Sequence, residues 1–219
     1  MGLLALLVLV AVLALGACGG SGPTTTVETP TPSPSVAATV SSTPTSTPTH
    51  TWTPGASPVP AATFPAQEGS TTLTEASFGW TFKPTVDIQV TDLGYYDDAG
   101  NGLRHAHPVG IFDTRTKKLL VKATVQRNSP LEASYRFAKI KPVTLKAGKS
   151  YVVVTYAMAP FDPEVNFPTG LVWAPEIEYV DYFAAEGAKK LVYPTEAGPY
   201  LFMTPNFKFR PVSAASPAP

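Results

Sequence analysis

Two adjoining stretches of this chain decide its fold: Phe78-Gly79-Trp80-Thr81-Phe82 and Val86-Asp87-Ile88-Gln89-Val90-Thr91-Asp92-Leu93-Gly94-Tyr95-Tyr96. In both, large apolar residues alternate with small or polar ones, which is the period of a strand that buries one face. In the second stretch the apolar residues change face near Leu93. The two stretches therefore predict consecutive β-strands that pack one face each into a common core.

The same period recurs in short runs along the rest of the chain, at residues 109–113, 119–125, 134–140, 150–156, 171–173, 176–183, 190–193, 200–203 and 206–210. Turn residues separate these runs, with a tight hairpin predicted at residues 113–117 and a second turn at residues 146–149, where Gly148 allows a positive φ. Only residues 184–190 have a helical pattern, long enough for one or two turns. We predict an all-β fold, an antiparallel β-sandwich of about ten short strands with Greek-key or jelly-roll-like connections.

The only cysteine, Cys18, follows an apolar run that covers residues 3–15. This run has the length of a signal-peptide core and is shorter than the roughly 20 residues that span a bilayer. The sequence Leu15-Gly16-Ala17-Cys18 resembles the lipobox of bacterial lipoproteins, in which the cysteine is acylated and becomes the mature N-terminus. We therefore predict a signal peptide at residues 1–17 and lipid attachment at Cys18.

Residues 18–66 have the composition of a linker. Between Ser21 and Ala66 the chain contains ten Pro, thirteen Thr and seven Ser, a single acidic residue and no basic one. Such a segment buries too little apolar surface to offset its backbone entropy, and its Thr-Pro and Ser-Pro steps favour polyproline II. We predict a disordered stalk at residues 18–66, a folded domain at residues 67–212 and a disordered tail at residues 213–219.

The charge of the chain is balanced in total but uneven along the sequence. Sixteen basic and sixteen acidic residues cancel, which gives no argument for a nucleic-acid or charged-membrane partner. Residues 115–149, however, contain ten bases and one acid, Glu132, whereas residues 162–196 contain seven acids and two bases. Solvated outer strand faces explain this distribution, and the alternative is a basic sheet face that meets an anionic cell-wall polymer.

Three motifs resemble the extracellular β-sandwich domains of unknown function in secreted bacterial proteins, including those with PEP-type sorting signals. They are Leu93-Gly94-Tyr95-Tyr96-Asp97-Asp98, then Asn101-Gly102-Leu103, then His107-Pro108-Val109-Gly110-Ile111-Phe112. Arg136-Phe137, the predicted hairpin around residues 145–153 and Pro205-Asn206-Phe207 are also similar. The resemblance covers about residues 78–209. It implies a sandwich with a ligand-binding or scaffolding role and no established activity.

Residues 97–107 are the chemically richest stretch of the chain. Asp97, Asp98 and Asn101 offer the oxygen ligands that Ca²⁺ prefers, although six to eight are needed. His105 and His107, two apart on a predicted strand, are a second candidate pair for Zn²⁺ or Cu²⁺. The third interpretation, which we favour, is a turn whose glycines occupy left-handed positions. No cofactor is required under it, and a structural Ca²⁺ remains an alternative.

Catalytic motifs are not found in the sequence. It contains no Gly-x-Ser-x-Gly, no His-Glu-x-x-His and no phosphate-binding glycine loop. Glu176 and Glu178 lie two apart on a predicted strand, which leaves a glycoside-processing enzyme as a remote alternative. We expect that the protein is not an enzyme.

Binding is the function class that the sequence favours. Aromatic residues are concentrated in the predicted domain, and sugars stack on exposed aromatic rings. The long Pro-rich stretch at residues 159–175 and the strand after it supply the candidate ligand-binding residues Phe161, Phe167, Trp173, Tyr179 and Tyr182. We predict a monomeric, lipid-anchored module on the extracytoplasmic side of the cell envelope that binds a carbohydrate or envelope polymer. The alternative is a purely structural envelope domain without a small ligand.

Overall fold

The computed structural model of the chain describes residues 57–69, 75–158, 162–198 and 200–212. The predicted signal peptide, Cys18, Phe161 and the predicted tail at residues 213–219 lie outside this part of the chain. So does the predicted stalk up to residue 56. The described residues belong to one compact unit, which spans Thr49–Pro219.

Thirteen strands and no helix form in the described part of the chain. The strands are β1 (Val59–Pro60), β2 (Ala62–Thr63), β3 (Ala76–Pro84), β4 (Ile88–Tyr96), β5 (His107–Asp113), β6 (Leu119–Val125), β7 (Leu131–Glu132), β8 (Tyr135–Leu145), β9 (Tyr151–Ala157), β10 (Val172–Trp173), β11 (Ile177–Glu186), β12 (Glu196–Ala197) and β13 (Pro205–Pro211). Within these residues there is accordingly no helix long and apolar enough to cross a membrane.

The strands form two large antiparallel sheets. Sheet one has the order β1-β13-β4-β8-β7 and sheet two the order β12-β11-β3-β9-β5-β6, while β10 and β2 form a separate pair. Successive strands often change sheet: β3 is followed by β4 in the other sheet, and β8 by β9. The all-β sandwich predicted from the alternating pattern is thus confirmed.

The core lies between the two sheets, and aromatic rings fill most of it. Trp80 and Phe82 of β3 meet Phe207 of β13, with ring centroids 5.7 Å and 4.7 Å apart. All three side chains are fully buried, and the Trp80 indole Nε1 donates a hydrogen bond to the Pro205 carbonyl at 2.8 Å. These rings bury large apolar areas and lock the two sheets face to face.

The sandwich has two ends, which we call the loop end and the turn end. At the loop end β4 finishes at Tyr96, opposite Tyr135 at the start of β8. At the turn end Ile88, the first residue of β4, pairs with Leu145, the last residue of β8. The candidate site described below lies at the loop end.

The fold begins earlier in the chain than predicted. Val59 and Pro60 pair with Phe209 and Lys208 of β13, and the side chains of the next residues are buried, among them Phe64. Residues 57–66, assigned to the stalk by composition, therefore belong to the sandwich. Composition failed here because two residues, Val59 and Pro60, are enough to add an edge strand to an existing sheet, and a few small or aromatic side chains after them fill gaps in the core.

Three local predictions are also corrected. Ala184, expected to start a helical turn, continues β11 and pairs with Phe78. Residues 190–193 are not a strand but cross the outer face of sheet two, where Leu191 and Tyr193 pack on a small cluster with Phe112. The turn at residues 146–149 has its predicted glycine, Gly148, at φ +69°, but it joins the two sheets and is not a hairpin within one.

Candidate ligand-binding site

The loop between β4 and β5 is held to the sandwich by Asp97. Its Oδ2 atom accepts hydrogen bonds from Arg136 Nε at 2.6 Å and from the Gly102 backbone N–H at 2.9 Å. The Arg136 guanidinium also donates to the carbonyls of Ser129 and Gly100, at 3.0 Å and 2.8 Å. Because the Asp97 side chain is only 2% exposed, this charge-assisted network is buried and is not a solvated surface pair. It fixes the loop.

Two glycines give the loop its shape. Gly100 has a φ of +64° and Gly102 of +100°, the left-handed region that residues with a Cβ avoid. The left-handed turn predicted for residues 97–107 is present at these two positions.

The end of the same loop is held by a second carboxylate, Asp162, on a distant part of the chain. Asp162 Oδ2 lies 2.7 Å from His107 Nε2, and Oδ1 accepts the Arg104 backbone N–H at 2.7 Å. The His105 backbone N–H donates to Oδ2 at 3.3 Å. Asp162 and His107 are both buried, and the ring of Tyr95 stacks on the His107 imidazole with centroids 3.7 Å apart.

The contacts of Asp162 determine its ionisation. Burial by itself raises the pKa of this carboxyl, but the hydrogen bond from His107 and those from the Arg104 and His105 backbone outweigh it. The net effect holds the pKa of Asp162 below its ordinary value of 3.8. Asp162 is therefore a carboxylate at neutral pH and acts only as an acceptor, so His107 Nε2 carries the proton in their hydrogen bond.

A pocket of about 200 Å³ opens between this loop and the segment that starts at Asp162. It is lined by Tyr96, Asp97, Asp98, Ala99, Asn101, Gly102, Leu103, Arg104, Asp162 and Pro163. The two buried carboxylates that shape it are already hydrogen-bonded to the protein. The Asp98 carboxylate, whose Oδ1 accepts the exposed Ala99 N–H at 2.8 Å, and the exposed Asn101 amide are polar lining groups that lie nearer to solvent than these two carboxylates.

The predicted calcium ligands Asp97, Asp98 and Asn101 all line this pocket, but they have different environments. Asp97 is occupied by Arg136, whereas Asn101 is exposed. Across the described residues, no group of three or more His, Cys, Asp or Glu side chains is arranged to hold a metal. Calcium here stays a prediction, and the cation would compete with the Arg136 guanidinium for Asp97.

The predicted histidine pair is separated by the structure. His107 is the first residue of β5 and its ring is buried, whereas His105 lies outside the strand and contributes its backbone to the Asp162 contact. The two rings therefore do not share a strand face. The sequence pattern failed because β5 begins at His107, so the alternation of side chains does not extend back to His105.

The predicted aromatic residues fall into buried, partly buried and exposed groups. Tyr182 is 3% exposed and packs against Phe78 and Phe202, so its ring is not available to stack on a sugar. Trp173 and Tyr179 are partly buried and stack on each other with centroids 5.3 Å apart. A bulge at Val180 keeps both Tyr179 and Tyr182 on the core side of β11.

Phe167 is the exposed member of this predicted set within the described residues. Its side chain is 59% exposed and its φ is +47°, an uncommon conformation for a bulky residue. The backbone is held there by a hydrogen bond from the Phe167 N–H to the Leu201 carbonyl at 3.1 Å. Strained backbone that presents an aromatic ring to solvent suggests a functional role. Phe167 lies four residues after Pro163 of the pocket.

The carboxylate pair weighed for glycoside chemistry has two different environments. Glu178 lies on the surface, where its Oε1 atom is 3.6 Å from Lys83 Nζ, whereas Glu176 is buried. Neither residue lines the pocket at the loop end.

The fold and the site together define the class of this protein as an all-β sandwich with a small polar pocket between loops at one end. Residues 62–162 match the family model of a domain of unknown function, DUF4082. The matched segment runs from β2 to Asp162 and so includes nearly the whole pocket. No curated protein and no solved structure matches the chain.

Proposed function

We propose that this chain is a lipoprotein of the bacterial cell envelope and that its sandwich is a non-catalytic module that binds a carbohydrate or another envelope polymer. Cys18 would carry the lipid, and residues 18–56 would link it to the folded domain. The observation that carries the binding proposal is the polar pocket at the loop end. It is formed by loops on a rigid scaffold, where binding sites usually lie.

The pocket suits a hydroxyl-rich group. Drug-sized ligands occupy roughly 300–1000 Å³, so a pocket of about 200 Å³ holds a smaller unit such as one sugar ring. Asp98 offers a carboxylate acceptor and Asn101 both a donor and acceptors, the set that hydroxyl groups satisfy. The walls are fixed in advance by Asp97 and Asp162, which lowers the entropy lost on binding.

Phe167, four residues after Pro163 of the pocket lining, adds an exposed aromatic residue to the proposal. It is 59% exposed, and a sugar C–H face would stack on its ring. Trp173 and Tyr179 are accessible only in part and serve as support in this proposal. Tyr182 has no place in it, because its ring is buried.

A glycan array and a pull-down with cell-wall material test the proposal. The protein used starts at residue 18 and carries Cys18→Ser, so that neither the leader nor a lipid contributes. Asp98→Asn combined with Asn101→Ala should weaken binding about tenfold, since the first replaces a charged acceptor by a neutral one and the second removes about one hydrogen bond to the ligand.

The matched control is Glu196→Gln, the same loss of a carboxylate charge at an exposed position of β12, outside the pocket. Binding should be unchanged in this variant. A screen in which the protein retains no glycan and no wall material would support the purely structural alternative. Ligand binding that survives the double substitution would move the site elsewhere.

The anchor is tested separately by growth with a labelled fatty acid. The wild-type chain should incorporate the label and Cys18→Ser should not. Absence of label on the wild-type protein would remove the lipid from the proposal and leave the pocket untouched.

A further inference from the structure

Two turns meet at the turn end of the sandwich. The turn between β5 and β6, residues 114–118, contacts the turn between β8 and β9, residues 146–150. The Thr114 backbone N–H and Oγ1 both donate to the Ser150 carbonyl, at 3.3 Å and 2.9 Å. Residues from two sequence-distant turns therefore share one surface.

This surface carries four exposed cationic side chains, Arg115, Lys117, Lys118 and Lys149, which we call the basic tip. Within the described residues none of them has a carboxylate within 4.0 Å. Lys117 Nζ lies over the ring of Tyr193, 5.5 Å from its centroid. In contrast to the balanced total charge of the chain, the local charge at this end is positive.

The acidic residues nearby do not cancel this charge. Asp113 accepts hydrogen bonds from the Thr116 N–H at 2.7 Å and Oγ1 at 2.9 Å within its own turn, although it also attracts Arg115. Asp87 is paired with Lys146 at 2.7 Å, and Glu178 with Lys83. Asp87 and Glu178 are thus engaged by lysines outside the basic tip, and the single charge of Asp113 offsets only part of its four positive charges.

The chain enters the sandwich at this same end. β1 runs antiparallel to β13, with Val59 opposite Phe209 and Pro60 opposite Lys208. Followed backwards from Val59, the chain therefore approaches the end of β13, where Pro211 pairs with Ile88 at the turn end. The described chain thus begins at the same end of the sandwich as the basic tip, and the pocket lies at the opposite end.

We infer that the basic tip docks on an anionic membrane surface, with the pocket directed away from it. This inference rests on the lipid anchor of the proposed function, because the anchor would tether the chain to the bilayer from the turn end. The 38 residues between Cys18 and Ser57 have the Pro- and Thr-rich composition of a semi-rigid spacer, which would reach about 120 Å if fully extended in polyproline II. A tether confined within that reach raises the effective concentration of the tip near the lipid headgroups.

The strength and range of the contact follow from the charges. Each Lys or Arg near an anionic leaflet contributes a factor of about five in affinity, and the attraction falls off within a Debye length of about 8 Å at physiological salt. Nine-residue strands such as β3 are roughly 30 Å long, so groups at the loop end lie beyond this range. Only the turn end is therefore attracted to the surface.

Co-sedimentation with vesicles tests the inference, with the unlipidated chain that starts at residue 18 and carries Cys18→Ser. Vesicles of phosphatidylglycerol and phosphatidylcholine should bind the protein, and pure phosphatidylcholine vesicles should not. Lys118→Gln combined with Lys149→Gln should weaken binding about 25-fold, and high salt should abolish it.

The matched control is Lys189→Gln combined with Lys190→Gln, two exposed lysines near the loop end, where Lys189 pairs with Glu75. It removes the same charge and should bind as the wild type does. Equal loss in both double variants would show a response to net charge alone and would overturn the inference. The inference would also be overturned if the basic tip were needed for binding to an anionic wall polymer and the protein did not bind the vesicles.

Because no lipid is attached to the protein in this experiment, its outcome is independent of the fatty-acid labelling of Cys18. The vesicle variants also leave the pocket intact, so glycan binding and vesicle binding fail separately.

Discussion

Replacement of Asp162 by alanine is expected to be the most damaging single change at the loop end. The substitution removes an acceptor that serves His107 Nε2 at 2.7 Å and the backbone N–H groups of Arg104 and His105. His107 is fully buried, so its Nε2–H would remain without a partner in an apolar environment. Leaving a buried hydrogen-bond donor without its acceptor costs about 1–3 kcal/mol, and three donors lose their acceptor here. We therefore expect the free energy of unfolding to fall by about 4 kcal/mol.

Urea denaturation, followed by the fluorescence of the buried Trp80, measures this change. For a domain of this size the melting temperature should fall by roughly 10 °C. Asp98→Ala is the matched control, since it removes a carboxylate from the same pocket whose hydrogen bond to the Ala99 N–H is exposed. It should cost less than about 1 kcal/mol. If Asp162→Ala cost no more than Asp98→Ala, the Asp162 network would not hold the loop.

The same residue gives a dependence on pH. The folded-state pKa of Asp162 lies below its ordinary value of 3.8, so its contribution to stability is complete above that value. The contribution is lost as the pH falls through the lowered folded-state pKa. As the pH falls below about 4, Asp162→Asn should therefore lose less of its free energy of unfolding than the wild type loses. Urea titrations at a series of pH values measure the difference. Parallel pH curves for the two proteins would contradict this account of the carboxylate.

Two further predictions concern the sandwich itself. A Cβ atom at Gly94 would lie 2.5 Å from Cε1 of the buried Phe137, so Gly94→Ala should lower the free energy of unfolding by about 1–3 kcal/mol through overpacking. At Gly148, with φ +69°, a Cβ atom meets open space, so Gly148→Ala should cost only about 1 kcal/mol through backbone strain. Equal urea midpoints for the two variants would contradict the packing argument. Burial raises the pKa of Tyr95 and of Tyr135 well above 10.0 in the folded protein. The contribution of these two tyrosines to the free energy of unfolding is therefore complete below pH 10 and is lost as the pH rises towards their folded-state pKa values. Tyrosinate absorbance should show that these two rings ionise only when circular dichroism reports unfolding, and full titration of all nine tyrosines in the native state would refute it.

The strands were predictable where one side chain in two faces the core. In β3, Phe78, Trp80 and Phe82 share one face as their alternation with small residues predicts, although the small residues on the other face are buried as well. The same alternation predicted a strand at residues 190–193, and this prediction was wrong. Leu191 and Tyr193 are apolar because they cover the outer face of sheet two. Periodicity reports that a side chain is buried, and it does not report which surface buries it.

The candidate site was predictable in part. The acidic and glycine-rich composition of residues 97–102 marked the loop, and its glycines do occupy left-handed positions. The role of Asp97 was not visible, since its partner Arg136 is 39 residues away in sequence. Asp162 was not singled out either, because nothing in its local sequence distinguishes it from a solvated aspartate. Its function depends on the folded position of His107.

By itself, the sequence determined the class of the fold and the likeness of Cys18 to a lipid-attachment site, because strand alternation and a signal motif are local properties of the chain. Tertiary structure alone decided which polar groups remain available to a ligand. It engaged Asp97 and Asp162 in buried hydrogen bonds, left Asp98 and Asn101 at the pocket, and buried Tyr182 while exposing Phe167. It also joined two distant turns into the basic tip. The physical reason is that burial and pairing depend on neighbours that lie far apart in sequence.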